Sequence, residues 1–516
     1  MALGAVSLYA LLAVSAEHPC ARCHPAETAA YEETPMGRAL SRPVGGEAGR
    51  FTHGASGTTF TARSEGGVLW QGAERQGLRA EYPVEYVIGS GEHAKGFLVR
   101  LGEQLFQSPI SYYRRAAKFD VAPGYERMER PDFNRRATPE CLACHASGGG
   151  SIGGASKAAG NASTTIEALT AITCDRCHGP AEAHLAAPGR ATIVNPSRLP
   201  AAQRDSVCEQ CHLNGEARVA NPGQDLIRFR PGETLEDRWQ VFVYDRPRGD
   251  LRVVSHAEQL ALSSCAKASA GKLWCGSCHQ PHGAKINVDA QCRSCHSAPQ
   301  SAAHPKQENC AGCHMPQRGA ADGGHTAFTD HRIQRVAAAP FTLPTGAEAP
   351  AIRAWREPAD AALTERNRGL ASIMVGERNG EARLINDGYR RLAAVYAKFP
   401  RDPDVLAGLG MVLFLKDQHG DAVKLLQAAV TARPGDAGLR EKLAVVLNAA
   451  GDKARAVEAL EKAIDLDPLR ETAYHLRAAQ EATAEGRKQV LGRWLSKMPQ
   501  SLVTREALRD LARRQN

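Results

Sequence analysis

Four regimes of hydrophobic and polar patterning follow one another along the chain. Ala2 to Ala16 is a nearly unbroken apolar run. FTHGASGTTFTARSEGGVLWQ (51–71), YPVEYVIGSG (82–91) and GFLVRLGEQLFQSPISYY (96–113) set β-branched and aromatic residues around Gly pairs, which predicts short antiparallel strands and hairpins. From 141 to 314 no period is sustained, so short helices and loops with little sheet are expected. From 366 to the end Ala, Leu, Arg, Lys and Glu dominate with helical spacing, and Pro400, Pro434 and Pro468 stand 34 positions apart.

That interval is the length of a tetratricopeptide repeat. In 403–436, Leu409, Gly410, Ala422, Leu426, Ala429 and Pro434 occupy its packing positions; in 437–470, Leu443, Ala444, Ala456, Leu460, Ala463 and Pro468 do so. Small residues there let paired helices approach closely. Weaker copies near 366–400 and 471–504 bring the number to what a stack requires. GGGSIGGASKAAGNAS (148–163) reads as a loop, and VAAAPFTLPTGAEAPA (336–351) as a linker. The expected organisation is an export signal at 1–16, one cofactor-packed domain at 17–335, a linker at 336–365 and a repeat domain at 366–516.

The chemistry of the middle region lies in its cysteines. Cys-x-x-Cys-His occurs seven times, at Cys20/Cys23/His24, Cys141/Cys144/His145, Cys174/Cys177/His178, Cys208/Cys211/His212, Cys275/Cys278/His279, Cys292/Cys295/His296 and Cys310/Cys313/His314, leaving only Cys265 of 15 cysteines. A disulfide framework needs no histidine after every second cysteine, and zinc ribbons set two Cys pairs around each metal. Covalent haem c explains the spacing: two thiols form thioethers to one porphyrin and the adjacent imidazole reaches its iron. Seven covalently bound haems are therefore expected, with these seven histidines as proximal ligands.

Composition agrees. Aromatic residues are 5% of the chain, sparse for a conventional core, and flat porphyrins would supply apolar surface instead. The expected fold is accordingly an α-rich multihaem domain with little regular sheet, its antiparallel β section confined to about 50–115, followed by an all-α repeat solenoid. The formal charge of +8 falls to about +1 once seven oxidised bis-ligated haems count −1 each, so nucleic acid is not an expected partner. Haem attachment takes place outside the cytoplasm, and the apolar run ending in Val14-Ser15-Ala16 fits a cleaved export signal. Nothing beyond it is long and apolar enough to span a bilayer. A periplasmic or extracellular location is expected.

Low-spin electron-transfer haems need a second axial ligand, whereas an open position admits substrate. Outside the motifs and the repeats stand His18, His53, His93, His184, His256, His282, His304, His325 and His331. His282 and His304 sit between closely spaced motifs, His184 follows its motif by six residues, and His18 adjoins the proposed cleavage site. Met36 is a candidate thioether ligand for the first haem.

CDRCHGPAEAH, CGSCHQPH and CAGCHMPQRGAADGGHTAFTDHRI, with TPMGRAL, YVIGSGEHAKGFL and SPISYY upstream, resemble the exported bacterial multihaem cytochromes of the cytochrome c554-like group, in particular members with C-terminal tetratricopeptide repeats. The resemblance implies that His93, His184, His282 and His331 are axial ligands and leaves Met36, His53, His256 and His325 open. It implies an electron carrier. The wider group includes nitrite and hydroxylamine enzymes, but the Cys-x-x-Cys-Lys that marks the active haem of ammonia-forming nitrite reductases does not occur here. No residue requires catalysis. The expected function is single-electron transfer along closely packed haems, with redox proteins as partners and the repeats holding a peptide, a protein or another copy of the chain. Two alternatives are an oxidoreductase acting on a small nitrogen or sulfur compound at one five-coordinate haem, and a subunit of an extracellular cytochrome wire.

Overall fold

A computed structural model of the protein describes residues 18–148, 169–189, 192–245, 250–296, 309–334 and 351–514. The expected export segment, His304, most of the 148–163 loop and nearly all of the 336–351 stretch lie outside these residues. Ten strands form one antiparallel sheet: β1 (Leu40–Ser41), β2 (Gly49–His53), β3 (Thr58–Glu65), β4 (Val68–Arg75), β5 (Leu78–Ile88), β6 (Ala94–Leu101), β7 (Gln104–Gln107), β8 (Ile110–Tyr113), β9 (Lys118–Val121) and β10 (Arg135–Arg136). The order is β10-β7-β6-β5-β4-β3-β2, with β1 on β5 and the β8–β9 hairpin on β6.

This sheet overturns the expectation of an α-rich body with little regular sheet and a β section limited to about 50–115: paired strands run from Leu40 to Arg136. The reason is that the scarce aromatics are concentrated. Twelve of the chain's Phe, Tyr and Trp residues fall between Phe51 and Phe133, and Phe60, Tyr82, Phe106, Tyr125 and Phe133 are buried together with Val99 and Ile110. Alternating burial along β3 is what a pleated strand with one core face requires. The core of the sheet is filled by these side chains and runs on into that of the C-terminal helices.

The middle region is built from short helices: α1 (Pro25–Glu32), α2 (Pro139–Leu142), α3 (Asp175–His178), α4 (Glu182–Ala186), α5 (Ala201–His212), α6 (His256–Leu262), α7 (Ser264–Ala268), α8 (Cys275–Cys278), α9 (Val288–Arg293) and α10 (Cys310–His314). Two small hairpins, β11 (Ser147–Gly148) with β12 (Leu169–Thr170) and β15 (Gln317–Gly319) with β16 (Ala327–Thr329), frame it. A three-stranded sheet joins β13 (Ala217–Ala220), the wholly buried β14 (Trp239–Tyr244) and β17 (Ile352–Ala354). Thus Ile352–Ala354, within the span expected as linker, is a strand.

Four antiparallel helix pairs follow: α11 (Ala361–Asn379) with α12 (Ala382–Val395), α13 (Pro403–Leu415) with α14 (His419–Ala432), α15 (Ala437–Ala449) with α16 (Lys453–Leu466), and α17 (Glu471–Ala479) with α18 (Ala484–Leu495); α19 (Leu502–Arg513) closes the stack. Leu409, Ala422, Leu426, Ala429, Leu443, Ala444, Ala456, Leu460 and Ala463 are all buried. Pro434 and Pro468 instead stand exposed just past α14 and α16, where a residue that cannot continue a helix belongs. Asp360, Asp402, Asp436 and Asp452 cap the helices that follow them.

The stack grips the body at both ends. At its start, buried Arg366 donates to Ala220 O at 2.8 Å and Asn367 to Asn221 Oδ1 at 2.9 Å. At its end α19 lies against β5, and Glu506 accepts from buried Arg75 at 3.0 Å and from Arg130 at 3.1 Å. Buried Asp132 accepts from Val503 N at 3.1 Å.

Candidate haem-binding site

Each motif lies at or within a helical turn. Cys-x-x-Cys on such a turn puts both thiols on one face, and the histidine amide closes the turn: His24 N, His178 N, His279 N and His296 N each donate to the carbonyl of their first motif cysteine at 2.8–3.0 Å. All cysteines of the described residues are free thiols.

Thiols of different motifs meet. Cys20 lies within hydrogen-bond reach of Cys174, Cys144 of Cys211, Cys208 of Cys275, and Cys292 of Cys310. α3 of motif three also packs on α5 of motif four, and α8 of motif five on α9 of motif six. Motifs one, three, four, five, six and seven thus form a continuous succession, with motif two beside motif four. The hydrogen bond from Cys211, aided by Arg218 and Arg176, holds the Cys144 thiol down at about 6, while Cys211 is pushed well up. Burial lifts Cys174 and Cys292 to about 11.

Three imidazole pairs face each other with near-parallel rings. His24 and His184 have centroids 6.5 Å apart, His178 and His282 5.9 Å, and His279 and His331 6.1 Å, at interplanar angles of 18°, 13° and 23°. Two imidazoles bound trans to one metal, each nitrogen about 2 Å from it, hold their centroids about 6.3 Å apart. In every pair a motif histidine meets one that follows the motif two places further along the chain.

The ring tautomers agree with this. The Nδ1 of His178 donates to Val194 O at 2.7 Å, that of His184 to Gly189 O at 3.2 Å, and that of His331 to Thr329 O at 2.9 Å; His314 does the same to Gln334 O at 2.6 Å. A proton fixed on Nδ1 leaves Nε2 as the free lone pair and orients it. Six of the buried rings are also held towards the neutral form, the one that ligates a metal. Burial, then neighbouring imidazoles, pulls His212 down to about 4 and His256 to about 3; burial lowers His145, His279, His282 and His331.

The other candidates are placed differently. His256 stands edge-on to His212 at 5.3 Å and to His331 at 4.9 Å, and its Nδ1 is buried with no hydrogen-bond partner among the described residues. His93 packs on Phe328 at 4.3 Å and is near enough to His256 to lower it. His53 spends both ring nitrogens in the sheet, on Ser56 Oγ at 2.9 Å and Glu126 O at 3.0 Å. His325 directs Nε2 to Asp120 at 2.8 Å. His18 lies near Cys20 and Cys174. Met36 is half-buried in the turn after α1.

Two arginines that sequence reasoning missed line the meeting of motifs two, three and four. Gln210 O, in the last turn of α5, accepts from Cys144 Sγ at 3.9 Å and from Arg218 Nη1 at 3.2 Å. Arg218 Nη2 donates to Leu213 O, and Arg176 Nη2 to Ala143 O at 2.7 Å. Nothing in the local sequence marks Arg218, which comes from β13; Arg176 stands in plain view between the cysteines of motif three.

Residues 115–179, which carry the second and third motifs, match the family model for cytochrome c554 and c-prime, and 382–437 and 417–471 match that of the tetratricopeptide repeat. The chain thus carries a cytochrome c554-type domain over 115–179 and tetratricopeptide repeats over 382–471. Its cytochrome part is that of a c-type electron-transfer protein, with haem c as the covalent cofactor that the family implies, and its repeats are of a kind that makes protein contacts. The paired thiols and the neutral, oriented imidazoles of the cytochrome part are a donor set that fits such a haem. No curated protein matches the chain. Solved structures similar to it include an O-GlcNAc transferase from Thermobaculum terrenum (22% identity, 27% of this chain and 27% of that one, TM-score 0.25) and MamA from Desulfovibrio magneticus RS-1 (20% identity, 27% and 75%, TM-score 0.24). A third is the Cut9–Hcn1 hetero-tetramer (18% identity, 29% and 32%, TM-score 0.25). The chain thus spans about a quarter to a third of the first and third of these. Among the described residues no helix is long and apolar enough to cross a membrane.

Proposed function

We propose that the protein is an exported heptahaem cytochrome that passes single electrons along closely packed haems, docking a partner protein through its repeats. In this reading all seven motifs hold haem c: Cys20, Cys23, Cys141, Cys144, Cys174, Cys177, Cys208, Cys211, Cys275, Cys278, Cys292, Cys295, Cys310 and Cys313 anchor the porphyrins, and His24, His145, His178, His212, His279, His296 and His314 are proximal. His184, His282 and His331 are the distal ligands opposite His24, His178 and His279. The observation that carries the proposal is the set of three ring pairs at 5.9–6.5 Å. His256 is proposed for the motif-four iron, while His53 and His325 serve the sheet.

When bound, haem supplies a one-electron couple; the chain's residues keep the buried imidazoles His145, His212, His256, His279, His282 and His331 towards neutral, fix the free nitrogen of His178, His184, His314 and His331, and bring successive motifs close together. The meetings of thiols and of motif helices give a route from motif one through three, four, five and six to seven, with motif two as a branch at four. The basic balance of +8 offsets haem carboxylates, and the apolar run at 2–16 supports export to the periplasm or beyond. The test is the mass of the denatured, acid–acetone-extracted protein, expected to exceed the polypeptide by seven haems. Fewer than six would overturn the motif-by-motif reading.

A further inference from the structure

We infer that Arg218 sets the reduction potential of the haems on the second and fourth motifs, by fixing a positive charge where Cys144 and Cys211 meet. The inference rests on reading those two motifs as haem sites. Arg218 reaches across from β13 to the end of α5, the helix that carries motif four, and donates to Gln210 O at 3.2 Å and to Leu213 O. The same Gln210 oxygen accepts from Cys144 Sγ at 3.9 Å. One carbonyl oxygen therefore separates the guanidinium from a thiol of motif two. These bonds hold the side chain at the negative end of the α5 dipole, so its place is fixed. The Arg218 Nε is buried without a hydrogen-bond partner among the described residues, as is that of Arg176 across the same junction. Among the described residues no acidic side chain bonds Arg218; Glu258 interacts with it electrostatically without a bond.

A cation held in such a place favours whichever state of its neighbour carries less positive charge. Adding an electron to an iron lowers its charge by one, so the reduced state gains and the potential rises. Arg218 always carries its proton, which makes the effect a constant bias. In the succession of motifs this makes the junction where motif two branches from motif four a place where an arriving electron is held.

The experiment is a spectroelectrochemical titration of the full-length, haem-loaded protein and of Arg218→Gln, with the mass of each denatured chain counting covalent haem. A wild-type mass lacking haem on motifs two and four would overturn the underlying reading and the inference with it. With both loaded, Arg218→Gln is expected to lower two midpoints, each by about a tenfold change in the reduction equilibrium, or about 59 mV for one electron. The remaining midpoints and the Arg218→Lys protein should stay at wild-type values. Unmoved midpoints in Arg218→Gln, a shift shared by every haem, or an equal shift in Arg218→Lys would each overturn the inference. Should Arg218→Gln load fewer haems, Arg218→His carries the test: its two midpoints should rise as pH falls and the imidazole gains charge, and pH-independent midpoints would overturn the idea.

Discussion

His282 meets His178 across 5.9 Å, whereas His53 has both nitrogens engaged in the sheet; the contrast gives a test at the scale of one residue. His282→Ala is expected to open one iron, seen as a new high-spin EPR signal and carbon monoxide binding by the reduced protein. His53→Ala should leave both readouts unchanged and lower only thermal stability. Unaltered spectra in His282→Ala would remove it from the ligand set. Asp132 supplies a pH test. Burial lifts its carboxyl from 3.8 to about 6 in the folded protein. Because the folded value is the higher one, its contribution is complete below about 4 and is lost as pH rises through 6. The two-unit shift amounts to about 2 to 3 kcal/mol. Asp132→Asn should therefore flatten the difference in Tm between about pH 5 and pH 7.5; Glu506, whose value is lowered, titrates below that window. The seven motif histidines stand out by spacing alone, because covalent attachment of the kind proposed demands adjacency in sequence. Distal candidates obey no such rule: His184 and His282 stand close to motifs, whereas His331 rested on the resemblance alone until the fold set it against His279 and tied His325, six positions away, to Asp120.

At the scale of elements, α11 and α12 cross where Gly369 faces Gly388. A Cβ on Gly388 would lie 2.6 Å from Gly369 O, which is backbone and cannot rotate away. Gly388→Ala should thus destabilise the protein by about 1–3 kcal/mol through overpacking, despite the better helix propensity of alanine. Gly492 in α18 has nothing within 4 Å of such a Cβ, and Gly492→Ala should stabilise by up to about 1 kcal/mol. Chemical denaturation of the two variants is expected to give shifts of opposite sign. The repeats were readable because each turn recurs after 34 residues, α13, α15 and α17 starting at 403, 437 and 471. The sheet was only half readable. Its central strands alternate, but β1 and β10 are two residues long, held by neighbours remote in sequence, and no local pattern marks them.

At the scale of the molecule, the Arg75–Glu506 pair joins first sheet and last helix, both side chains being less than 10% exposed. Glu506→Gln leaves Arg75 buried without its counter-charge and should cost about 3 kcal/mol or more, read as a fall in Tm of the haem-loaded protein. The double variant Arg75→Met with Glu506→Leu should recover most of it, since an apolar pair of similar size leaves no buried charge. If single and double variants fall equally, the pair is not what binds the two parts.

That pair spans 431 positions, and Gln500 meets Glu81 across 419. Closing so long a loop adds little to the thermodynamic cost, which grows only with the logarithm of length, but it dictates order in time. The first sheet is synthesised long before the helix that covers it, so Arg75 and Asp132 stay uncovered until α19 has been made. A chain that stops short of α19 displays those charges, and is expected to be cut by protease faster than the chain that carries it.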